Sequence, residues 1–481
     1  MSVFNIRMRR YAWQKKEERI NIRFMGNKRM QKKKKDRSQY LFDNRALVVL
    51  IIPLIIEQFL AVLVGMADSI MIASVGEAAV SGVSLVDQIM VLFIALFSAL
   101  ATGGAVVAGQ YLGMKNEKLA CRASTQLVWF ITISATVIMV VIYACKYFIL
   151  HVIFGPIEAD VRAHANTYLM IVAASIPFMA LYNGGAAIFR AEGNSKLPMK
   201  VSILMNVINV GGNALLIYGF HRGTEGVAIP TLVSRVVAAV VVVALLCREK
   251  YPLHIERSLR YKPDGRMIRR IMSIGVPNGM ENSMFQIGKI LVLSLVSSFG
   301  TYAIAANAVC NAVAMFEILP GMAIALAMTT VIARCVGAGE DEQVRYYTKK
   351  LVFLTYVGMW VFSILTLAFL PMILRAYNLS DITAQTATKI MIFHSVSCML
   401  IWPISFALPA TLRAAGDAQV TMWISIASMW LFRIGASYVL GKFMGWGVFG
   451  VWVAMVIDWC FRAVMMLWRY LSGKWRGKRA V

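Results

Sequence analysis

The run Val236-Val-Ala-Ala-Val-Val-Val-Val-Ala-Leu-Leu246 holds eleven consecutive apolar residues. A membrane-spanning strand would alternate polar and apolar residues, so unbroken apolarity of this length selects an α-helix. A helix rising 1.5 Å per residue needs about 20 such residues to cross a hydrocarbon core of roughly 30 Å. Comparable stretches are predicted near residues 46–74, 86–112, 123–150, 165–189, 198–218, 227–247, 271–298, 305–333, 351–374, 387–412, 419–441 and 448–468. Composition agrees: of 481 residues 59% are hydrophobic and 15% charged, with a mean hydropathy of +0.67, far above a water-soluble domain. The expected fold class is therefore all-α, a polytopic membrane protein of about twelve transmembrane helices in two six-helix halves.

The net charge of +25 sits in tails and loops and reads as a topology signal, with no nucleic acid implied. With the N-terminal tail inside, about 39 of the 49 Lys and Arg fall on the cytoplasmic side and about six outside. Both termini are thus expected in the cytoplasm and the chain in the cell membrane. The expected organisation is a basic tail over 1–45, a first half over 46–247, a cytoplasmic linker over 248–270, a second half over 271–471 and a basic tail over 472–481. Met30, just before the Lys32 to Lys35 run, is an alternative start. The seven cysteines stand singly, without CxxC or a histidine at metal-ligand spacing, so neither a disulfide framework nor a zinc site is expected.

Sliding the chain on itself by 224 residues aligns Pro53 with Pro277, Glu57 with Glu281, Gly76 with Gly300 and Gly113 with Gly337. Arg190-Ala-Glu-Gly193 aligns with Arg413-Ala-Ala-Gly416 one residue out of phase. Such a period, holding an even number of spans, relates the halves by an axis along the membrane normal and puts a substrate site at their interface.

These landmarks resemble the multidrug and toxic compound extrusion (MATE) transporters. The resemblance runs through Gly65-Met-Ala-Asp68-Ser-Ile-Met-Ile-Ala-Ser-Val-Gly76, Gly109-Gln-Tyr-Leu-Gly113, the Arg190 to Gly193 turn and Asn206-Val-Ile-Asn209-Val-Gly-Gly-Asn213. It implies export of varied, often cationic amphiphiles in exchange for H⁺ or Na⁺, with no other cofactor. It also implies a cation site in the first half at Asp68, Asn209, Asn213 and Thr231. The family commonly carries a second Asp in the fifth helix, where this chain has Asn213. An amide offers an oxygen to Na⁺ but takes up no proton, so proton coupling rests on Asp68.

The residues alone support part of this. A carboxylate deep in lipid costs at least about 2.5 to 3.5 kcal/mol, so Asp68 faces protein or water, either as a proton carrier or as a packing hydrogen bond. Glu57, eleven residues earlier, shares its helix face and is a candidate relay or a cap near Pro53. Glu281 and Glu317 are candidate substrate-cavity acids. Lys289 is expected to pair with Glu317; left free in the cavity, it would argue against exclusively cationic substrates. Asp458 and Arg462, at i and i+4, read as an intrahelical pair. Arg235 and Arg433 are buried bases with no evident role. Asn206 reads as interhelical glue.

The five histidines show no catalytic spacing and no GxxxxGK[ST] loop is present, so neither an enzyme nor a single-chain ATP-driven pump is expected. The rival is a lipid-linked oligosaccharide flippase of the same superfamily, expected to have more spans and several cavity arginines. The expected partners are small-molecule substrates and the bilayer, with the monomer as the working unit.

Overall fold

The computed structural model describes residues 40–255, 262–377 and 379–481. Most of the predicted N-terminal tail, with Met30 and the Lys32 to Lys35 run, lies outside these residues, as do linker residues 256–261. Residues 47–481 form one compact unit.

Twelve helical spans follow in order, with no strand among the described residues. They are α1 (Asn44–Ala73), α2 (Glu77–Gly113), α3 (Glu117–Ala144), α4 (Ala159–Ala173 with Ile176–Ala191, bent by 47°), α5 (Lys196–Gly219) and α6 (Glu225–Leu246). The second set is α7 (Gly265–Ser297), α8 (Thr301–Gly337), α9 (Asp341–Ala376), α10 (Asp381–Ala414), α11 (Ala418–Phe443) and α12 (Gly447–Leu471). Each predicted span falls on one of them. Several helices begin earlier than predicted, because the first turn of a membrane helix tolerates polar residues: α2 starts at Glu77, with the acid near the positive end of the helix dipole.

The repeat is exact where it was most legible. Helices α2 and α8 are both 37 residues long and start 224 residues apart. Each is entered through a glycine at positive φ, Gly76 at 136° and Gly300 at 101°. Helix α7 alone is too polar to pass as a span by composition, although its 33 residues are amply long. Its Asn278, Glu281, Asn282, Gln286 and Lys289 are tolerated because the helix lines protein and a cavity.

Both Arg-x-x-Gly segments close a helix in the same way. The Gly193 amide donates to the Arg190 carbonyl at 2.8 Å and the Asn194 amide to Phe189 at 2.9 Å. In the second half Gly416 donates to Arg413 at 3.0 Å and Asp417 to Leu412 at 2.9 Å. Gly193 and Gly416 have φ of 88° and 94°, the left-handed conformation this cap requires.

The halves meet along α2, which packs on α7 and α8. At the end carrying residues 114–116 and 338–340 the backbones nearly touch. A Cβ on Gly113 would collide with the Arg334 carbonyl, and one on Gly337 with that of Gln110. The Gln110 amide donates to the Ala414 carbonyl at 2.8 Å, and Arg334 donates to the Glu192 carbonyl at 3.0 Å. The two halves are therefore fastened at this end.

Candidate functional site

In the first half, α1, α5 and α6 bring all four predicted cation-site residues together as two bonded pairs. Asn213 donates to Asp68 Oδ1 at 2.6 Å, and Asn209 donates to Thr231 Oγ1 at 3.1 Å. The Thr231 hydroxyl in turn donates to the Val227 carbonyl at 2.8 Å. Asn209 and Asn213 share a face, and the side-chain oxygens of both are buried without a hydrogen-bond partner. Two orphaned acceptors on one helix face, one of them on the amide bonded to Asp68, are a donor set suited to a hard cation. Asn206, read as glue, has a buried side-chain nitrogen with no partner.

Two further groups belong to this cluster. Asp87 on α2 accepts a hydrogen bond from Tyr168 at 2.9 Å and interacts electrostatically with Asp68. Arg235 on α6 donates to Ser175 at 2.7 Å and interacts with both carboxylates. Sequence reasoning missed Asp87 because a predicted span starting at 86 made it a helix-end residue. With α2 starting at Glu77, Asp87 lies almost three turns in. Arg235, without an evident role in the sequence, supplies the positive charge that balances two acids.

The repeat predicts an equivalence that the structure turns into a contact. Glu57 accepts from Arg190 at 2.7 Å and from Tyr182 at 3.3 Å. Its counterpart Glu281 accepts from Arg413 at 3.3 Å. In each half the glutamate in the middle of the first helix thus clasps the arginine at the end of the fourth. The two clasps are not identical. Glu57 keeps one buried oxygen without a partner, whereas Glu281 has Arg413 on one oxygen and Arg462, at 2.9 Å, with Ser425, at 2.7 Å, on the other.

The second half contains a cavity of about 410 Å³, with Ala95 of α2 on one side. Four cationic side chains line it, Lys289, Arg413, Arg433 and Arg462, against a single carboxylate, Glu281. Aromatic walls come mainly from α10 and α12. The π-helical turns at Pro403–Ala407 and Met429–Gly435 present Phe406 and Arg433 to it.

Two expected pairings are corrected here. Glu317 is bound by His394 at 2.8 Å and Ser395 at 2.5 Å, not by Lys289. Lys289 lies against the cavity over the Phe285 ring, 5.0 Å from its centroid. Asp458 and Arg462 do not pair within α12. Asp458 accepts from Ser428 and faces Arg433 at 3.8 Å, while Arg462 reaches Glu281 and Ser425. Helical spacing says which residues share a face, but each helix is rotated by its packing, and a bonded neighbour across the bundle outcompetes an i,i+4 partner. The expectation that no cysteine has a histidine at metal-ligand spacing is also corrected: His394 and Cys398, at i and i+4, come together with Glu317, their ligand atoms within 4.8 Å of one another. Both Glu317 oxygens are already hydrogen-bonded, so the cluster is arranged as a histidine–carboxylate network.

A two-half bundle of twelve spans, with a cation-suited cluster in one half and a lined cavity in the other, is the architecture of a membrane transporter. The family model MatE matches this chain twice, over residues 53–215 and 277–439, one match to each half at the 224-residue period. The chain belongs to the MatE family of transporters and is not an enzyme. It is 25% identical over 434 residues to the uncharacterized transporter YisQ of Bacillus subtilis, covering 88% of this chain and 93% of that one. It is 26% identical over 445 residues to a probable multidrug resistance protein, NorM, of Thermotoga maritima, covering 91% and 94%. Among solved structures, a multidrug resistance MATE family transporter in an outward-facing conformation superposes with a TM-score of 0.83 at 19% identity, over 89% of this chain and 95% of that one.

Proposed function

We propose that the chain is a secondary antiporter that exports organic amphiphiles in exchange for H⁺ or Na⁺ by alternating access. The observation that carries this is the first-half cluster: Asp68 held by Asn213, with the orphaned oxygens of Asn209 and Asn213 on one helix face. A proton would bind the Asp68 oxygen that Asn213 leaves free. Na⁺ would be held by that same oxygen with the two amide oxygens, and Thr231 would fix Asn209 in place. Either ion neutralises Asp68, and its release restores the charge. Moving one charge through 100 mV is worth about 2.3 kcal/mol, which biases the exchange only if the ion binds on one side and leaves on the other.

With both termini in the cytoplasm, the fastened end at Gly113 and Gly337 is cytoplasmic, so substrate leaves at the opposite end. The substrates are small molecules, the working unit is the monomer in the cell membrane, and the linker over 248–270 acts as a tether. Efflux of a fluorescent amphiphile from cells carrying the protein tests the coupling. Loss on sodium removal assigns Na⁺ and loss on adding a protonophore assigns H⁺. Efflux indifferent to both contradicts the proposal.

The flippase alternative draws support from the cavity arginines, which match its need to hold a pyrophosphate. A volume of about 410 Å³ suits a drug-sized molecule instead, within the roughly 300–1,000 Å³ usual for such sites.

A further inference from the structure

We propose that the second-half cavity binds organic anions with an aromatic or apolar body, with Lys289 and Arg433 receiving the negative group. This rests on the transporter reading above and deepens it by naming the class of substrate.

Three observations carry it. Among the described residues Lys289 has no carboxylate partner; its charged neighbour is Arg433, a like charge. A cation at membrane depth is costly unless paired or facing a cavity, and Lys289 lines one. The carboxylate that Arg433 faces, Asp458, lies at 3.8 Å, near the outer limit of an ion pair.

Second, no acid in the cavity is free to meet a cationic substrate. Glu281, the single carboxylate that lines it, has both oxygens engaged by arginines and Ser425; Glu317, which does not line the cavity, has both oxygens held by His394 and Ser395. Recognition of a cation there would have to break a buried ion pair, which is expensive.

Third, both phenylalanine rings that line the cavity already carry the protein's own cations. Arg462 lies 4.5 Å from the centroid of Phe406, and Lys289 and Arg433 lie 5.0 and 5.7 Å from that of Phe285. Such an arrangement presents hydrogen-bond donors and positive charge inward from an apolar wall. An anionic headgroup would gain two charge-assisted contacts, and relieve the repulsion between Lys289 and Arg433.

The test is equilibrium binding to the full-length protein in phosphatidylcholine nanodiscs, using two dyes with the same aromatic frame. One is 1-anilinonaphthalene-8-sulfonate; the other is N-phenyl-1-naphthylamine, its neutral analogue. Wild type is expected to bind the sulfonate at least about tenfold more tightly, the size of one charge-assisted contact. Lys289→Met should erase most of that preference without changing the neutral dye, and Lys289→Arg should keep it. Tetraphenylphosphonium should compete poorly. Adding phosphatidylglycerol distinguishes the source of the anion: displacement of the sulfonate assigns the charged site to a lipid headgroup, and no displacement to a soluble anion. Equal binding of the two dyes, equal weakening of both by Lys289→Met, or tight competition by tetraphenylphosphonium overturns the proposal. Because no ion gradient is involved, these outcomes are independent of whether Asp68 couples transport.

Discussion

Glu57 and Arg190 form a pair in which removing one partner strands a charge, whereas Glu281 keeps Arg462 if Arg413 is removed. Such breaks typically cost about 3 to 5 kcal/mol. Arg190→Met is therefore expected to destabilise the protein by that order, and Glu57→Gln with Arg190→Met together by clearly less than the sum of the two single changes. Unfolding of the purified protein followed by tryptophan fluorescence checks this, and additive losses would contradict it. Asp458→Asn should mainly lower stability, because it weakens the contacts to Ser428 and Arg433 but leaves the first-half cluster intact. At this scale the sequence was legible wherever a polar residue was anomalous on its own, as for Asp68, Asn209 and Asn213 inside apolar runs. It was not legible where meaning depends on a distant partner. His394 is an isolated histidine in sequence, and its role as partner of Glu317 follows only from how α10 is rotated against α8.

Among the elements, α2 and α8 matter most, since their glycines allow the halves to close on one another at the fastened end. Gly337→Ala should hold that end apart by the width of a methyl group and shift the population toward the opposite-facing state. Transport should fall about tenfold or more, since a collision with backbone costs at least the roughly 1 to 3 kcal/mol of an overpacked core. Spin labels at Lys115 and Asp341, both exposed, report the result as a longer distance than in wild type. An unchanged distance would contradict it. The elements themselves were largely readable. Apolar runs located the spans other than α7, which carries too many polar residues to pass by composition, and the Arg-x-x-Gly segments announced their caps. The π-helical turns in α10 and α11 were not readable, because a single extra residue per turn leaves no mark on an apolar run. Those turns set where Phe406 and Arg433 point, and so the charge of the cavity.

For the whole molecule, one period of sequence builds two similar scaffolds with opposite contents: acids and amides in the first half, bases and aromatics in the second. The period was visible from Pro53, Glu57, Gly76 and Gly113 and their counterparts, but the divergence was not, since Glu281 and Glu317 look like free acids until their partners are seen. With Cys introduced at Ser472 in a cysteine-free background, an impermeant thiol reagent should label the protein in inverted vesicles and not in intact cells; labelling in intact cells would contradict an inward C-terminus. In the proposed mechanism Asp68 is the group whose charge alternates with access. The measurement that tests it most directly is efflux from vesicles containing Asp68→Asn, with and without an imposed H⁺ or Na⁺ gradient. The variant should insert and exchange substrate down its own gradient but ignore the ion gradient, whereas export driven as strongly as in wild type would contradict the assignment.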